Sequence, residues 1–407
     1  MYEQLFLKSL LKNNQFFINN KRVLSFDMPQ MILPLDSFVL LQNTLKRLEG
    51  SKVNQFFYLS GKIFGKNLLN EQIKRLGFKK DISSFQHNLR ELELSSMGKS
   101  DLIKFDVKNK KVIIKNSNSP LANRYMRLFG VQKEPVDHYL RGIYTGIAEV
   151  ILDCEMASIE SKCIARGDGA CLIEIKQKDD FEDNLKNEEI KICEEKLAWP
   201  ELLAYAENSK IPNPVTQKLL GFEHLMVENG WLRMVKIPII VIPTNIFALL
   251  QQAGWKTTNE VLYHVGKIHG MKSTTTMAGV FGFHKDKKLL EMMFQQAGLI
   301  GIGNMDVKSF DFEGKKASLS SENNTLARQS YSLFGKQNTA IDHFTKGLVA
   351  GACEVIFEEK MSCKEVTCLA KGDKKCIFIA EKGDNKEKGF ICIDETPLKF
   401  DCIFEQA

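Results

Sequence analysis

The sequence predicts an α+β fold made of two tandem copies of one mixed domain of helices and antiparallel strands. Three observations carry this expectation. Glu160-x-x-Cys163, seven residues and Cys171 return as Glu365-x-x-Cys368, seven residues and Cys376, offset by 205 at each position. From Leu121 to Cys171, twenty of fifty-one positions are identical to those 205 residues later, without a gap. A length of 407 residues is long for one core and suits two domains. Two long copies indicate a duplicated domain and not a solenoid, which needs more and shorter units.

The N-terminal YEQLFLKSLLKNN reads as a short helix followed by a strand. Arg22–Leu35, broken at Pro29 and Pro34, reads as paired short strands. Asp36 is placed to cap a helix ending at Gly50, and Lys52–Gly77 carries apolar residues at helical spacing: Phe56, Leu59, Ile63, Leu68. Asp81–Leu94 is a third helix. Leu102–Val107 and Val112–Lys115 are strands joined by a tight turn at Asn109-Lys110. Leu121–Gly130 and Pro135–Asp153 are helices leading into the Glu/Cys/Cys hairpin. Lys178–Glu195 is dense in charge and reads as a linker, and Leu197–Asn229 reads as helical. The second copy then repeats the first. Gly61 and Gly65 match Gly266 and Gly270, Asp137-His138 matches Asp342-His343, and Gly142, Gly146 and Glu149 match Gly347, Gly351 and Glu354. ILPLDSFVLLQ matches VIPTNIFALLQ at an offset of 209. The expected boundaries are 1–177 for the first domain, 178–225 for the linker, 226–382 for the second domain and 383–407 for a tail.

Hydrophobic content of 44% and charged content of 26% are ordinary globular values. A net charge of +6 is too mild to indicate nucleic acid. No run of 18 apolar residues is present; Ile237–Leu250 comes nearest and is interrupted by two prolines and Asn245. With no basic leader and cleavage site at the start, a cytoplasmic protein without a membrane span is expected. Ten cysteines are not a disulfide-dense pattern, so the clustered ones indicate a metal or buried thiols before disulfides.

Cys163 and Cys171 flank IARGDGA, so a turn centred on Gly167-Asp168 sets them opposite each other, with Cβ atoms about 4.5–5.5 Å apart. That suits two thiolates on one metal, two packed thiols or a disulfide. Glu160, three residues earlier, falls on the other face of an ideal strand, but a place at a bulge or at a strand start would let it reach round. Thiolate and carboxylate together suit a structural zinc with four ligands, and Asp137 or His138 (Asp342 or His343) at the helix start is the repeated candidate for the fourth. The site has no extra base and no evident cleft, so catalysis is not expected there.

On Pro135–Asp153, Gly142, Gly146 and Glu149 share one face. Glycine within a helix costs about 1 kcal/mol relative to alanine. The two explanations are close packing of another backbone and room for a ligand. His87, His224, His264, His269 and His284 are unmatched between copies and read as surface or satisfied core residues. No dinucleotide-binding glycine motif, phosphate-binding loop or nucleophile elbow stands in a supporting context.

The helix–Glu-x-x-Cys hairpin with CIARGDGAC and CLAKGDKKC resembles the closing part of the 4-vinyl-reductase (4VR) domain family. The resemblance covers Phe17–Gln177 and Met226–Lys382. It implies a small-molecule-binding α+β fold, related to subunits of the eukaryotic vesicle-tethering complex and to sensor domains of aromatic-responsive bacterial activators. In the sensor branch the matching Glu and two Cys hold zinc with an upstream Cys, whose gapless position here is Asp137 or Asp342. The implied metal residues are therefore Asp137, Glu160, Cys163, Cys171, Asp342, Glu365, Cys368 and Cys376, with His138 and His343 as rivals for the fourth place. The resemblance also implies an apolar pocket for a hydrophobic or aromatic molecule between helices and sheet. The sensor branch's ATPase and DNA-binding domains are not found, so direct activation of transcription is not expected. The leading expectation is a tandem binding module with a zinc staple in each copy. The alternative is a non-catalytic interaction platform in which the two copies mimic a dimer. A tetrapyrrole reductase ranks last, because no nicotinamide, flavin or iron–sulfur motif is visible.

Overall fold

A computed structural model describes residues 16–19, 22–25, 28–178, 225–228, 231–234, 237–298 and 300–383. The first half runs β1 (Phe16–Asn19), β2 (Arg22–Ser25), β3 (Met28–Pro34), α1 (Leu35–Glu49), α2 (Lys52–Leu76), α3 (Ile82–Glu93), β4 (Lys99–Asp106), β5 (Lys111–Asn118), α4 (Pro120–Phe129), α5 (His138–Leu152), β6 (Met156–Lys162) and β7 (Cys171–Gln177). The second half repeats that order: β8 (Leu225–Glu228), β9 (Trp231–Met234), β10 (Ile237–Pro243), α6 (Asn245–Gln252), α7 (Thr258–Phe281), α8 (Lys287–Gln295), β11 (Asp306–Asp311), β12 (Lys316–Ser321), α9 (Thr325–Phe334), α10 (His343–Phe357), β13 (Met361–Thr367) and β14 (Cys376–Lys382). The two halves are alike, as an α+β duplication requires.

Each half has an antiparallel four-stranded sheet, ordered β4-β5-β7-β6 and β11-β12-β14-β13. Alternation sets Val112 and Ile114 of β5 and Cys171, Ile173 and Ile175 of β7 on the inner face, all fully buried. Helix α5 covers that face with Ile143 and Ile147, also fully buried. Helix α2 lies across α5 at the glycines. A Cβ on Gly142 would overlap the carbonyl oxygen of Tyr58 and lie 2.8 Å from the Lys62 amide nitrogen; Gly146 meets Lys62 and Lys66 in the same way. Gly61 and Gly65, and the four glycines on α7 and α10 that match all four of these, face backbone equally closely. Close packing, not ligand space, explains these glycines. Glu149 beside them receives Lys62 at 2.7 Å and Lys66 at 2.5 Å and accepts the Met156 N–H at 2.8 Å, tying both helices to β6.

A third, six-stranded sheet joins the halves in the order β1-β2-β3-β10-β9-β8. Its central pairing, β3 against β10, sets Ile32 opposite Val241, residues that are equivalent at the offset of 209. The crossing is therefore symmetric. The Ile32 N–H donates to the Ile300 carbonyl at 3.0 Å, and the Val241 N–H donates to the Ser95 carbonyl at 3.3 Å. Further ties cross the boundary: Glu49 accepts both the N–H (3.2 Å) and the hydroxyl (2.7 Å) of Thr257 at the start of α7.

Several local expectations need correction. Asp36 does not cap α1; it lies within the first turn, and its carboxylate receives Arg124 and Lys272 at 2.5 and 2.7 Å. Helix α5 begins at His138, three residues after the expected Pro135, because Asp137 takes the N-cap position. Leu225–Glu228 is strand β8 paired with β9, where helix was expected. The N-terminal helix, nearly all of the linker at 178–225 and all but the first residue of the tail at 383–407 lie outside the described residues. No described helix is long and apolar enough to cross a membrane.

Candidate functional site

Two Glu/Cys/Cys clusters sit where the β6–β7 and β13–β14 hairpins meet the starts of α5 and α10. The hairpin registers shift between Glu160 and Lys162 and between Glu365 and Thr367. These bulges break the two-residue alternation and bring each glutamate onto the cysteine side. As a result one ligand atom each from Glu160, Cys163 and Cys171 lies within 4.8 Å of the others, and the same holds for Glu365, Cys368 and Cys376. A 3₁₀ turn, Ile164–Arg166, ends at Gly167 with φ +89°, a left-handed conformation that glycine adopts without strain. Asp168 then accepts the Cys163 N–H at 2.8 Å, and Asp373 does the same for Cys368 at 2.8 Å. The amides of Ile164 and Leu369 point at the sulfurs of Cys171 and Cys376, at 3.4 and 3.3 Å.

The protons at these sites are displaced from their ordinary positions. A hydrogen bond from Cys171 draws the Cys163 thiol below its usual range and, in turn, pushes Cys171 up. The Cys376 thiol pulls Cys368 down to about 6 in the same way. Burial, then the neighbouring Asp342, pushes Glu365 up to about 9, and burial raises Glu160 well above the carboxylate range. The oxygens Oε1 of Glu160 and Glu365 are buried without a hydrogen-bond partner. In each cluster two thiols and a carboxyl thus compete over protons where one divalent cation would satisfy all three. The donor set of two sulfurs and a carboxylate fits zinc. The four cysteines are free thiols.

In neither half does the aspartate fall within the three-residue group, and the two aspartates differ. Asp137 caps nothing with its side chain: its carboxylate meets the Ser119 hydroxyl and the Cys171 sulfur, the latter 3.3 Å from Oδ2. Asp342 spends both oxygens, accepting the Thr345 N–H at 2.9 Å and the Asn324 amide at 2.6 Å. The first half has Ser119 where the second has Asn324, so it lacks that long amide. His138 and His343 also lie outside the groups.

A cavity of about 120 Å³ opens in the second half between the joining sheet, α7 and α8. Ile32 and Pro34 of the first half's β3 form part of its wall, with Ile239, Met277, Met293 and Leu348 of the second. The polar side chains in its lining are His269, Ser273 and Thr276. His269 is 2% exposed, its Nδ1 has no hydrogen-bond partner, and its ring lies edge-on to Phe344 at 5.7 Å. Burial lowers its pKa to about 3, so the imidazole is neutral. It is therefore neither the surface residue nor the satisfied core residue expected. At the equivalent place in the first half, Phe64 stacks on Tyr139 at 6.5 Å. The counterparts of Met277 and Met293 there are Gln72 and Asn88. With Glu91 they form a buried chain: Asn88 donates to Gln72 and Gln72 to Glu91, each at 2.7 Å. Sequence reasoning missed this divergence, although His269 stands against Phe64 inside an otherwise matching Gly-Lys-Ile-x-Gly.

No family model matches the chain, and no curated protein matches it. Among solved structures, the phenol-responsive sensory domain of the transcription activator PoxR with phenol is 14% identical with a TM-score of 0.37, covering 41% of this chain and 88% of that one. A trafficking protein particle complex subunit 3 from Naegleria fowleri, covalently bound to palmitic acid, is 15% identical with a TM-score of 0.25, covering 35% of this chain and 95% of that one. A vinyl-4-reductase family protein from Methanocaldococcus jannaschii is 19% identical with a TM-score of 0.23, covering 44% of this chain and 85% of that one.

Proposed function

We propose that this protein binds an apolar small molecule in its second half and that its two Glu/Cys/Cys clusters are zinc staples. The observation that carries the first part is the cavity walled by Ile32, Ile239, Met277, Met293 and Leu348. Its size is of the order of an engineered apolar cavity of about 150 Å³ that takes up benzene. Flexible methionines let such a wall adjust to its guest. The staple reading is supported by the orphaned carboxylate oxygens and the doubled cluster; Asp137 completes the first site, and the second takes its fourth ligand from solvent or from a reoriented Asp342.

Two measurements test this reading. Calorimetric titration with toluene should show saturable binding to the full chain and none to Met293→Trp, which fills the cavity; absence of binding to the wild type refutes the ligand part. Metal content per chain, on protein purified without chelator, should be two zincs, falling to none in Cys163→Ser/Cys368→Ser. A wild type without zinc refutes the staples and leaves the cysteines as packed thiols.

A second reading, the interaction platform, is favoured by the symmetric β3–β10 pairing, which gives one chain the form of a dimer. It gains if toluene does not bind while the chain still captures a protein partner through the outer edges of the joining sheet.

A further inference from the structure

The two clusters share three donors but differ in what surrounds them. In the first half the Asp137 carboxylate lies 3.3 Å from the Cys171 sulfur and receives the short Ser119 hydroxyl. In the second half Asn324, at the matching position, caps α9 by accepting the Ala327 N–H at 2.7 Å, and its amide reaches Asp342 at 2.6 Å. The Thr345 N–H takes the other Asp342 oxygen at 2.9 Å. Turning Asp342 toward a metal therefore breaks two charge-assisted bonds and uncaps α10. The second cluster also lies nearer water. Glu160 and Arg141 are 6% and 7% exposed, whereas their counterparts Glu365 and Lys346 are half-buried. Arg141 is engaged elsewhere: it donates to the Ser158 carbonyl and lies over the Tyr58 ring at 4.5 Å. Lys346 instead faces the cluster, where its charge acts on Glu365, Asp342, Cys363 and Cys368.

We propose that the two zinc sites are unequal: Asp137 closes the first, while Asn324 and Thr345 hold Asp342 away from the second and leave it a position for an exchangeable small thiolate from solution. This rests on the zinc reading above and sharpens it. Two thiolates and a carboxylate leave a divalent zinc with one net negative charge, which the Lys346 ammonium offsets, so a further anion is not repelled. Zinc takes thiolate sulfur readily, which favours a thiol over a carboxylate as the incoming donor. Cys363, where the first half has Ser158, lies outside the three-residue group and does not complete the site from within. A closed site holds its metal as a staple, and an open one lets metal and ligand exchange.

The test follows zinc transfer from the loaded full chain to the coloured chelator pyridylazoresorcinol. Two phases of equal size are expected, the faster by about tenfold or more, the scale on which groups around a ligand alter metal affinity. Cys368→Ser should remove the fast phase. Asn324→Ser, which installs the first half's residue and frees Asp342, should slow that phase, and Cys363→Ser should leave it unchanged. Cobalt supplies a second readout. In Cys163→Ser, which keeps only the second site, mercaptoethanol should raise the thiolate-to-cobalt absorbance by about half, as a third sulfur joins two; in Cys368→Ser it should change nothing. Release of both zincs at one rate overturns the proposal without need of a variant. So does a fast phase unaltered in Asn324→Ser, a cobalt spectrum indifferent to mercaptoethanol, or faster release from Cys363→Ser, which would make that thiol the fourth ligand. A wild type without zinc overturns the staple reading itself, which equal release leaves standing.

Discussion

Alanine at Gly142 is the substitution whose outcome the helix crossing fixes most sharply. Helix propensity alone favours it by about 1 kcal/mol. At this position the new Cβ would overlap the Tyr58 carbonyl oxygen and sit 2.8 Å from the Lys62 nitrogen, and both obstacles are backbone. Neither can rotate away, so α5 must separate from α2 or tilt. Overpacking of this kind costs about 1–3 kcal/mol, and the rigid neighbours put it at the upper end. The net expectation is a loss of about 2 kcal/mol, read as a lower urea midpoint with an unchanged slope. Gly279 in α7 provides the control, because nothing lies within 4 Å of its Cβ position. Gly279→Ala should raise the midpoint by the propensity term alone. If Gly142→Ala were also neutral or stabilising, the explanation of these glycines by backbone approach would be wrong.

Other perturbations have signs set by the structure. Burial pulls the Asp36 pKa upward, but Lys272 and Arg124 outweigh it, so the folded value lies below 3.8. Its stabilisation is complete above the unfolded value and is lost as pH falls through the folded one. Asp36→Asn should cost about 3 kcal/mol at neutral pH in urea unfolding, by stranding two partly buried cations, and should flatten the acid limb of the stability curve. Glu91 behaves in the opposite sense: burial lifts it to about 8, against a hydrogen bond from Gln72 that lowers it. Its contribution is full below pH 4.5 and declines as pH rises through 8, by at most about 5 kcal/mol. Urea midpoints of Glu91→Gln should show that decline removed; an unchanged pH profile would mean that Glu91 is ionised in the folded state. Finally, treating the zinc-loaded protein with a chelator should lower its thermal midpoint, and Cys163→Ser/Cys368→Ser should be indifferent to chelator.

Much of this architecture could be read from the residues. The constant offset of 205 announced the duplication, and helical spacing located α2 closely. The Glu/Cys/Cys grouping was legible too, because a bulge or a strand start would let Glu160 reach the cysteines, and a bulge is present. What escaped depended on contacts distant in sequence. Asp36 has the local signature of a cap, but Arg124 and Lys272 lie 88 and 236 residues away and claim its carboxylate. Asp137 and Asp342 match in sequence, yet a serine-for-asparagine difference at Ser119 and Asn324 gives them different partners. His269 was discounted for being unmatched, when a departure inside a repeated segment was itself the signal.

The pairing of Ile32 with Val241 has a consequence for how the two halves can change. In a dimer of identical chains, a residue altered on one side of the axis is altered on the other as well. Joining both halves in one polypeptide removes that constraint while keeping the shared sheet. His269 can then stand opposite Phe64, and Asp36 opposite Asn245, without forcing an imidazole or a buried carboxylate on the other side. The same linkage makes the association intramolecular and independent of protein concentration. A half produced alone would expose the edge of β3 or β10, a surface already shaped to receive its own likeness, and would assemble with itself and regain the symmetry that the fused chain has given up.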